Sequence, residues 1–154
     1  MNLPQNEYPI SSLPAFNAEE TLALRALAVR VCRRFYFESA HRLFDYVGKC
    51  SRLHGHNYEL EVEVSGVRQP NGIVIDFADL KDVVNRHVVE VLDHRNLCDH
   101  FRVNTTAENL AVGIFRVLDA LCEESRHPLT LERVRVQETA GCWAEVRRED
   151  FDKL

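Results

Sequence analysis

Two periodicities divide the chain. From Tyr58 to Val64, apolar residues occupy every second position (Tyr58, Leu60, Val62, Val64), and Glu59, Glu61 and Glu63 occupy the others. A period of two predicts a strand with one covered face and one charged face. Val29, Val31, Phe35 and Phe37 share one parity, interrupted by Arg33, and predict an earlier strand. Ser65 to Gly72 contains Pro70-Asn71-Gly72 and predicts a hairpin turn, with Ile73–Ile75 as a short return strand. The period then changes. Leu80, Val83, Val84, His87, Val88, Val91 and Leu92 recur at helical spacing after Asp76 or Asp79. On that apolar stripe His87 reads as a satisfied core histidine rather than a ligand. Leu110, Ile114, Leu118 and Leu121 mark a second helix over 106–124, broken by His127-Pro128 and opened by Thr105 and Glu108 as a capping box. Leu131–Glu138 and Cys142–Arg148 form a closing hairpin around Ala140-Gly141. Upstream, Asn17 and Glu20 make another capping box for a short helix within Ala18–Ala28, after an irregular stretch over 1–16. Strands, two helices and further strands, with no internal repeat, predict an α+β fold with a mostly antiparallel sheet covered on one face.

The length of 154 residues fits a single domain, with residues 1–27 as an N-terminal extension. Nineteen basic against 24 acidic residues give a formal charge of −5, which disfavours phosphate-neutralising contacts with nucleic acid. A small anionic substrate stays compatible, because a pocket can be locally basic on an acidic protein. Five cysteines, an odd number with no CxxC pair, exclude complete pairing within the chain. With no signal-peptide pattern and no apolar run approaching about 18 residues, the expectation is a cytoplasmic protein without a membrane span. The charged face of the sheet has two readings: a solvated surface, or one that meets other subunits through charged pairs.

Candidate chemistry centres on His41, His54 and His56. The last two lie in Leu53-His-Gly-His-Asn-Tyr58, and an i,i+2 pair on a strand points to one side. His41 follows the first strand, so an antiparallel neighbour brings it to the same place. Three neutral imidazoles suit Zn²⁺ with one position left open for water or a substrate oxygen. Cys50, four residues before His54, is either a fourth ligand that closes a structural site or a thiolate beside the metal, with Lys49 and Arg52 in its setting. Cys32, Cys98 and Cys122 read as structural. Asp93-His94 is either a carboxylate fixing an imidazole tautomer or a helix-terminal histidine stabilised by the dipole. Glu138 has the parity of Val134 and Val136, so it points into the covered space, where its partner is either an arginine or the N–H edge of a pterin or guanine ring. Thr105 and Thr106 stand at a helix N-terminus, as a cap or as neighbours of exposed N–H groups that favour ring carbonyls.

Taken in order, Phe37-Glu-Ser-Ala-His41-Arg-Leu, Cys50-Ser-Arg-Leu-His54-Gly-His56-Asn-Tyr, Gly72-Ile-Val-Ile-Asp-Phe-Ala-Asp-Leu, Leu92-Asp-His-Arg-Asn-Leu, Thr105-Thr-Ala-Glu-Asn-Leu and Val136-Gln-Glu-Thr resemble the 6-pyruvoyltetrahydropterin synthase and 6-carboxytetrahydropterin synthase family. The likeness covers roughly residues 28–148. It implies the tunnelling fold, a four-stranded antiparallel sheet with two helices on one face, with residues 28–154 as the catalytic domain. It also implies a homohexamer, a dimer of trimers, with active sites at subunit interfaces. The zinc ligands it implies are His41, His54 and His56, and the catalytic residues are Cys50 with Asp93 and His94 from a neighbouring subunit. Glu138 would anchor the pterin, with Thr105 and Thr106 as ring contacts. The implied substrate is 7,8-dihydroneopterin triphosphate. The CxxxHGH spacing and Glu138-Thr-Ala-Gly-Cys142 resemble the carboxy type of the queuosine pathway, which loses triphosphate and acetaldehyde. Asn57-Tyr58 and Leu92–Leu97 resemble the pyruvoyl type, which eliminates triphosphate only. A non-catalytic pterin-binding or zinc-stabilised assembly module is the reading of a different class.

Overall fold

The computed structural model of the chain describes residues 17–125 and 127–153. The irregular stretch expected over 1–16 lies outside the described residues. Asn17 and Glu20 form the expected capping box, each side chain accepting the other's backbone N–H at 2.9 Å, and open α1 (Ala18–Ala26). Two 14-residue strands follow. β1 (Ala28–His41) and β2 (His54–Val67) run antiparallel in unbroken register from Ala28↔Val67 to His41↔His54. β3 is a two-residue parallel addition, Arg95–Asn96, on the end of β1. β4 (Thr130–Thr139) takes the other side of β2, and β5 (Cys142–Arg147) closes the hairpin on β4. The sheet order is β3-β1-β2-β4-β5.

Ile73–Ile75 is not a return strand. β2 already has β1 on one side and β4 on the other, so no ladder position is free for it. Gly72 N–H donates to Gln69 O and Gln69 N–H to Ile73 O, each at 2.8 Å. Gly72 sits at φ 86°, a conformation that costs glycine little. The tight turn drops Val74 into the core and delivers Asp76, whose carboxylate caps α2 (Phe77–Val84) by accepting from Ala78 N–H at 2.7 Å.

α2 runs on through a π-helical stretch, Asn85–Val89, into a last turn, Glu90–Leu92. Its buried residues are Leu80, Val84, Val88 and Leu92, every fourth position. A strict spacing of four drifts around an ordinary helix of 3.6 residues per turn, and the wider π turn takes up that drift. The same widening turns His87 outward. It is exposed, so the expectation of a core histidine is overturned. Val83 and Val91 are exposed as well.

α3 (Ala107–Glu123) buries Leu110, Ala111, Ile114, Phe115 and Leu118 against the sheet. Its cap is Thr106, whose Oγ1 accepts from Asn109 N–H at 3.3 Å. The capping box expected from Thr105 and Glu108 is therefore displaced, because Thr105 is fully buried and turned toward the end of β1. The core lies between the two helices and one face of the sheet, where Phe35, Phe37, Leu60, Val62, Leu131, Val134 and Val136 are buried. Arg33 breaks the apolar parity at the rim by extending its guanidinium to Phe77 O at 2.9 Å.

The opposite face is a ladder of charge. Arg34 meets Glu59 at 3.0 Å and Glu61 at 2.8 Å, and Arg133 meets Glu61 at 3.2 Å and Glu63 at 3.3 Å. Neighbouring strands place opposite charges in register, Arg34↔Glu61↔Arg135. Among the described residues no helix is long and apolar enough to cross a membrane.

After β5 comes α4 (Arg148–Phe151), pinned by Arg148. That guanidinium donates to Leu131 O at 3.0 Å, pairs with Asp119 of α3 and lies over the Phe115 ring at 5.1 Å. Arg148→Ala strands the half-buried Asp119 carboxylate and frees α4. The expected cost is about 2 kcal/mol, or a melting temperature about 6 °C lower, measured by thermal unfolding.

Candidate active site

The end of β1 and the start of β2 build the site. His41 and His54 are register partners, and His56 lies two residues along β2 on the same side. The three rings meet with centroids 4.6 Å (His41–His54), 5.1 Å (His41–His56) and 4.8 Å (His54–His56) apart. One nitrogen from each lies within 4.8 Å of the others, which makes this a group capable of holding a metal ion.

The second nitrogens set the tautomers. His41 Nδ1–H donates to Thr105 O at 2.7 Å, and His54 Nδ1–H donates to Arg52 O at 2.7 Å. Backbone carbonyls only accept, so each ring turns the lone pair of Nε2 into the cluster. Burial lowers the pKa of His56, and the neighbouring His41 and His54 lower it further against the opposing charge of Glu138, which favours the neutral, ligating form. His41 Nε2 and His56 Nε2 are buried and, among the described residues, have no hydrogen-bond partner. Leaving such atoms unsatisfied costs about 1–3 kcal/mol each, and a metal ion satisfies both at once. Three neutral imidazole donors fit an ion of zinc's character and leave further coordination positions free.

Glu138 completes one wall. Its Oε1 lies 3.5 Å from His41 Nε2 and 4.0 Å from His56 Nε2, so the inward direction read from strand parity holds. Among the described residues its charged neighbours are these imidazoles, not an arginine. The register passes from Gln137↔Trp143 to Thr139↔Cys142, which leaves Glu138 as the extra residue of a β-bulge. A bulge re-aims a side chain at the end of a strand, and no residue pattern announced this one.

Thr105 acts beneath the site. Its carbonyl orients His41, and its Oγ1 lies 3.4 Å from His41 Nδ1 and 3.8 Å from the Cys98 sulfur. Thr106, half-buried, caps α3 beside it. Cys98, read as structural, donates to Arg42 O at 3.4 Å and so braces this layer.

Cys50 occupies a single 3₁₀ turn, Lys49–Ser51, held by Leu43 N–H donating to Cys50 O at 2.8 Å. Its thiol is half-buried, and the metal-binding group comprises the three histidines without it.

Asp93 and His94 do pair. His94 takes a left-handed conformation, φ 55°, which brings its Nδ1 to 2.9 Å from Asp93 Oδ2. Asp93 Oδ1 accepts from Glu38 N–H at 2.8 Å, and that bond, with His94 beside it, holds the carboxyl below its usual range. The His94 ring is exposed and approaches Glu38, which alternates to the face of β1 opposite His41. The pair therefore does not join the histidine cluster of its own chain.

Sequence reasoning passed over Tyr58. It shares the strand face of His54 and His56, and its ring packs edge-on to His41 at 6.1 Å and to His56 at 5.7 Å. Its hydroxyl is buried without a partner among the described residues, and burial, then the charge of Glu138, pushes its pKa up. The alternation that marked it as core was the available signal.

A family profile described as 6-pyruvoyl tetrahydropterin synthase matches residues 30–149. The chain belongs to this family. Among relatives of the synthase family, a protein of Archaeoglobus fulgidus provisionally named 6-carboxy-5,6,7,8-tetrahydropterin synthase is 41% identical over 112 residues, 73% of this chain and 90% of its own length. The 6-carboxy-5,6,7,8-tetrahydropterin synthase of Haemophilus influenzae is 32% identical over 141 residues, 75% of this chain and 96% of its own length. Among solved structures, the Caenorhabditis elegans 6-pyruvoyl tetrahydropterin synthase superposes with a TM-score of 0.70 at 31% identity, covering 80% of this chain and 97% of its own. The expected tunnelling fold is thereby met, with the two-residue β3 as an addition to the four antiparallel strands.

Proposed function

We propose that this family member is a zinc-dependent 6-carboxy-5,6,7,8-tetrahydropterin synthase, a lyase converting 7,8-dihydroneopterin triphosphate with loss of triphosphate and acetaldehyde. The observation that carries the reading is the histidine cluster, with two orphaned Nε2 atoms facing inward and Glu138 beside them. The carboxy direction is supported by the three residues between Cys50 and His54 and by the Archaeoglobus relative.

In this reading His41, His54 and His56 hold the zinc, which when bound supplies a Lewis acid that makes the side-chain hydroxyls of the dihydropterin easier to deprotonate. Glu138 accepts N–H donors from the amino-pyrimidine edge of the ring, with the Thr105–Thr106 segment alongside. Cys50 takes a proton from the substrate side chain as a thiolate. Asp93 accepts from His94 Nδ1–H, which leaves Nε2 to take up and return protons. That pair faces away from its own cluster, so it serves the site of a neighbouring copy, and the working unit is a homohexamer with interfacial sites.

The pyruvoyl product is the second reading, favoured by the name of the Caenorhabditis structure. Mass analysis of the product of 7,8-dihydroneopterin triphosphate, with acetaldehyde assayed in parallel, separates the two. The expected result is a 6-carboxy side chain with one acetaldehyde per turnover. A pyruvoyl side chain without acetaldehyde moves the assignment to the second reading. A zinc-loaded protein that turns nothing over and unfolds on chelation is an assembly module.

A further inference from the structure

Among the described residues, four buried side-chain nitrogen or oxygen atoms lack a hydrogen-bond partner: His41 Nε2, His56 Nε2, the Tyr58 hydroxyl and Arg68 Nε. A metal ion accounts for the first two. It does not account for Tyr58, since a neutral phenol offers a proton to an acceptor. Nor can the hydroxyl turn to water. Tyr58 is 1% exposed, its ring stacks on Phe37 with centroids 4.9 Å apart and planes 12° apart, and two imidazole edges flank it.

The carboxylate that borders the same two rings as Tyr58 is that of Glu138. Its carboxylate approaches His41 Nε2 and His56 Nε2, the two rings that also flank Tyr58. Those nitrogens present lone pairs, so they give the carboxylate no hydrogen bond, and a nearby O–H donor complements it. Cys98 is the competing neighbour of the Tyr58 hydroxyl, but its thiol already donates to Arg42 O and sulfur accepts weakly.

We propose that Tyr58 is a positioning residue for Glu138: in the metal-loaded protein its hydroxyl donates to the carboxylate and fixes the plane in which that carboxylate meets the pterin ring. The inference rests on the pterin reading of the site. It explains why a phenol rather than a phenyl ring lies under the histidines. The carboxylate sits on a bulge, with fewer ladder bonds to hold it, so a buried donor at its base supplies the missing constraint.

Tyr58→Phe removes the hydroxyl and keeps the ring. Tyr58→Phe is expected to retain one zinc per chain when loaded, and, when metal-free, to melt at or above the temperature of the parent, because there the hydroxyl has no partner to lose. Its affinity for neopterin, read by calorimetric titration, should fall about tenfold. In a Glu138→Ala background the same substitution should cost less than about twofold, because the residue it positions is gone. Equal losses in both backgrounds, or no loss in the parent, overturn the inference. If Glu138→Ala binds too weakly to titrate, a crystal structure of the zinc-loaded parent decides. A Tyr58 hydroxyl within about 3 Å of a Glu138 oxygen supports the inference, and a longer separation overturns it. A zinc-loaded parent that does not bind neopterin at all overturns the pterin reading itself and this inference with it, an outcome distinct from parent-like binding by the variant.

Discussion

Cys50→Ala is expected to keep its metal and lose its turnover, by a factor on the order of 10²–10⁴ in kcat, the usual contribution of a positioned general base. The separation of the two effects follows from geometry. The metal-binding group consists of His41, His54 and His56, and the Cys50 turn is anchored by its backbone bond to Leu43 rather than through sulfur. Loss of the sulfur therefore removes no donor from the cluster. The half-buried position leaves only a small cavity, so melting temperature should change little. Metal content and turnover, measured on the same preparation, check this. Loss of both together would make Cys50 a fourth ligand and the metal structural. Retention of both would remove the thiol from the chemistry. Because the carboxy and pyruvoyl readings share this proton abstraction, the variant tests the base assignment under either product.

The alternation of apolar residues located β1, β2 and β4 because each lies half in the core, and a half-buried strand writes its burial into its sequence. The same rule placed His41, His54 and His56 together, since register follows from strand pairing and all three have the parity of buried neighbours. Failures came where the backbone leaves its regular path. The π stretch in α2 rotates His87 out of a stripe that assumes 3.6 residues per turn. Ile73–Ile75 has strand composition but no vacant edge to pair with, a fact of sheet order rather than local pattern. Thr105 and Thr106 compete for one cap, and only the fold shows that the first is committed to His41. The contact of Asp93 with His94 depends on a left-handed residue that is not glycine, for which the sequence carries no marker. The bulge at Glu138 and the unpaired hydroxyl of Tyr58 are likewise products of packing, and both lie at the site. Regular elements were legible and the irregular backbone that aims the site was not, as expected where function departs from local rules.

Substitution of the histidines one at a time should separate ligation from folding. His54 sits at the rim, partly exposed, and the only hydrogen bond of its ring among the described residues is local, to Arg52 O. His54→Ala is expected to fold as the metal-free parent does, and to lose metal affinity by more than the 10–100-fold that removing an outer-shell partner costs. Turnover should fall with it. His41 differs because it is both a ligand and a core residue. It is 1% exposed, and its Nδ1–H satisfies the carbonyl of buried Thr105 from the other side of the core. His41→Ala leaves that carbonyl unpaired and opens a cavity, so it should lower the stability of the metal-free protein by about 2–4 kcal/mol in addition to abolishing metal binding. The comparison is sharpest in thermal unfolding with and without a chelator. For the parent, an ion held at about 1,000 times its Kd raises stability by about 4 kcal/mol, which chelation removes. For His54→Ala the two curves should coincide at the metal-free parent's melting temperature, and for His41→Ala they should coincide well below it. A His54→Ala protein that still responds to chelation would show that two imidazoles suffice, with Glu138, 3.5 Å from His41 Nε2 and 4.0 Å from His56 Nε2, moving in as the third donor.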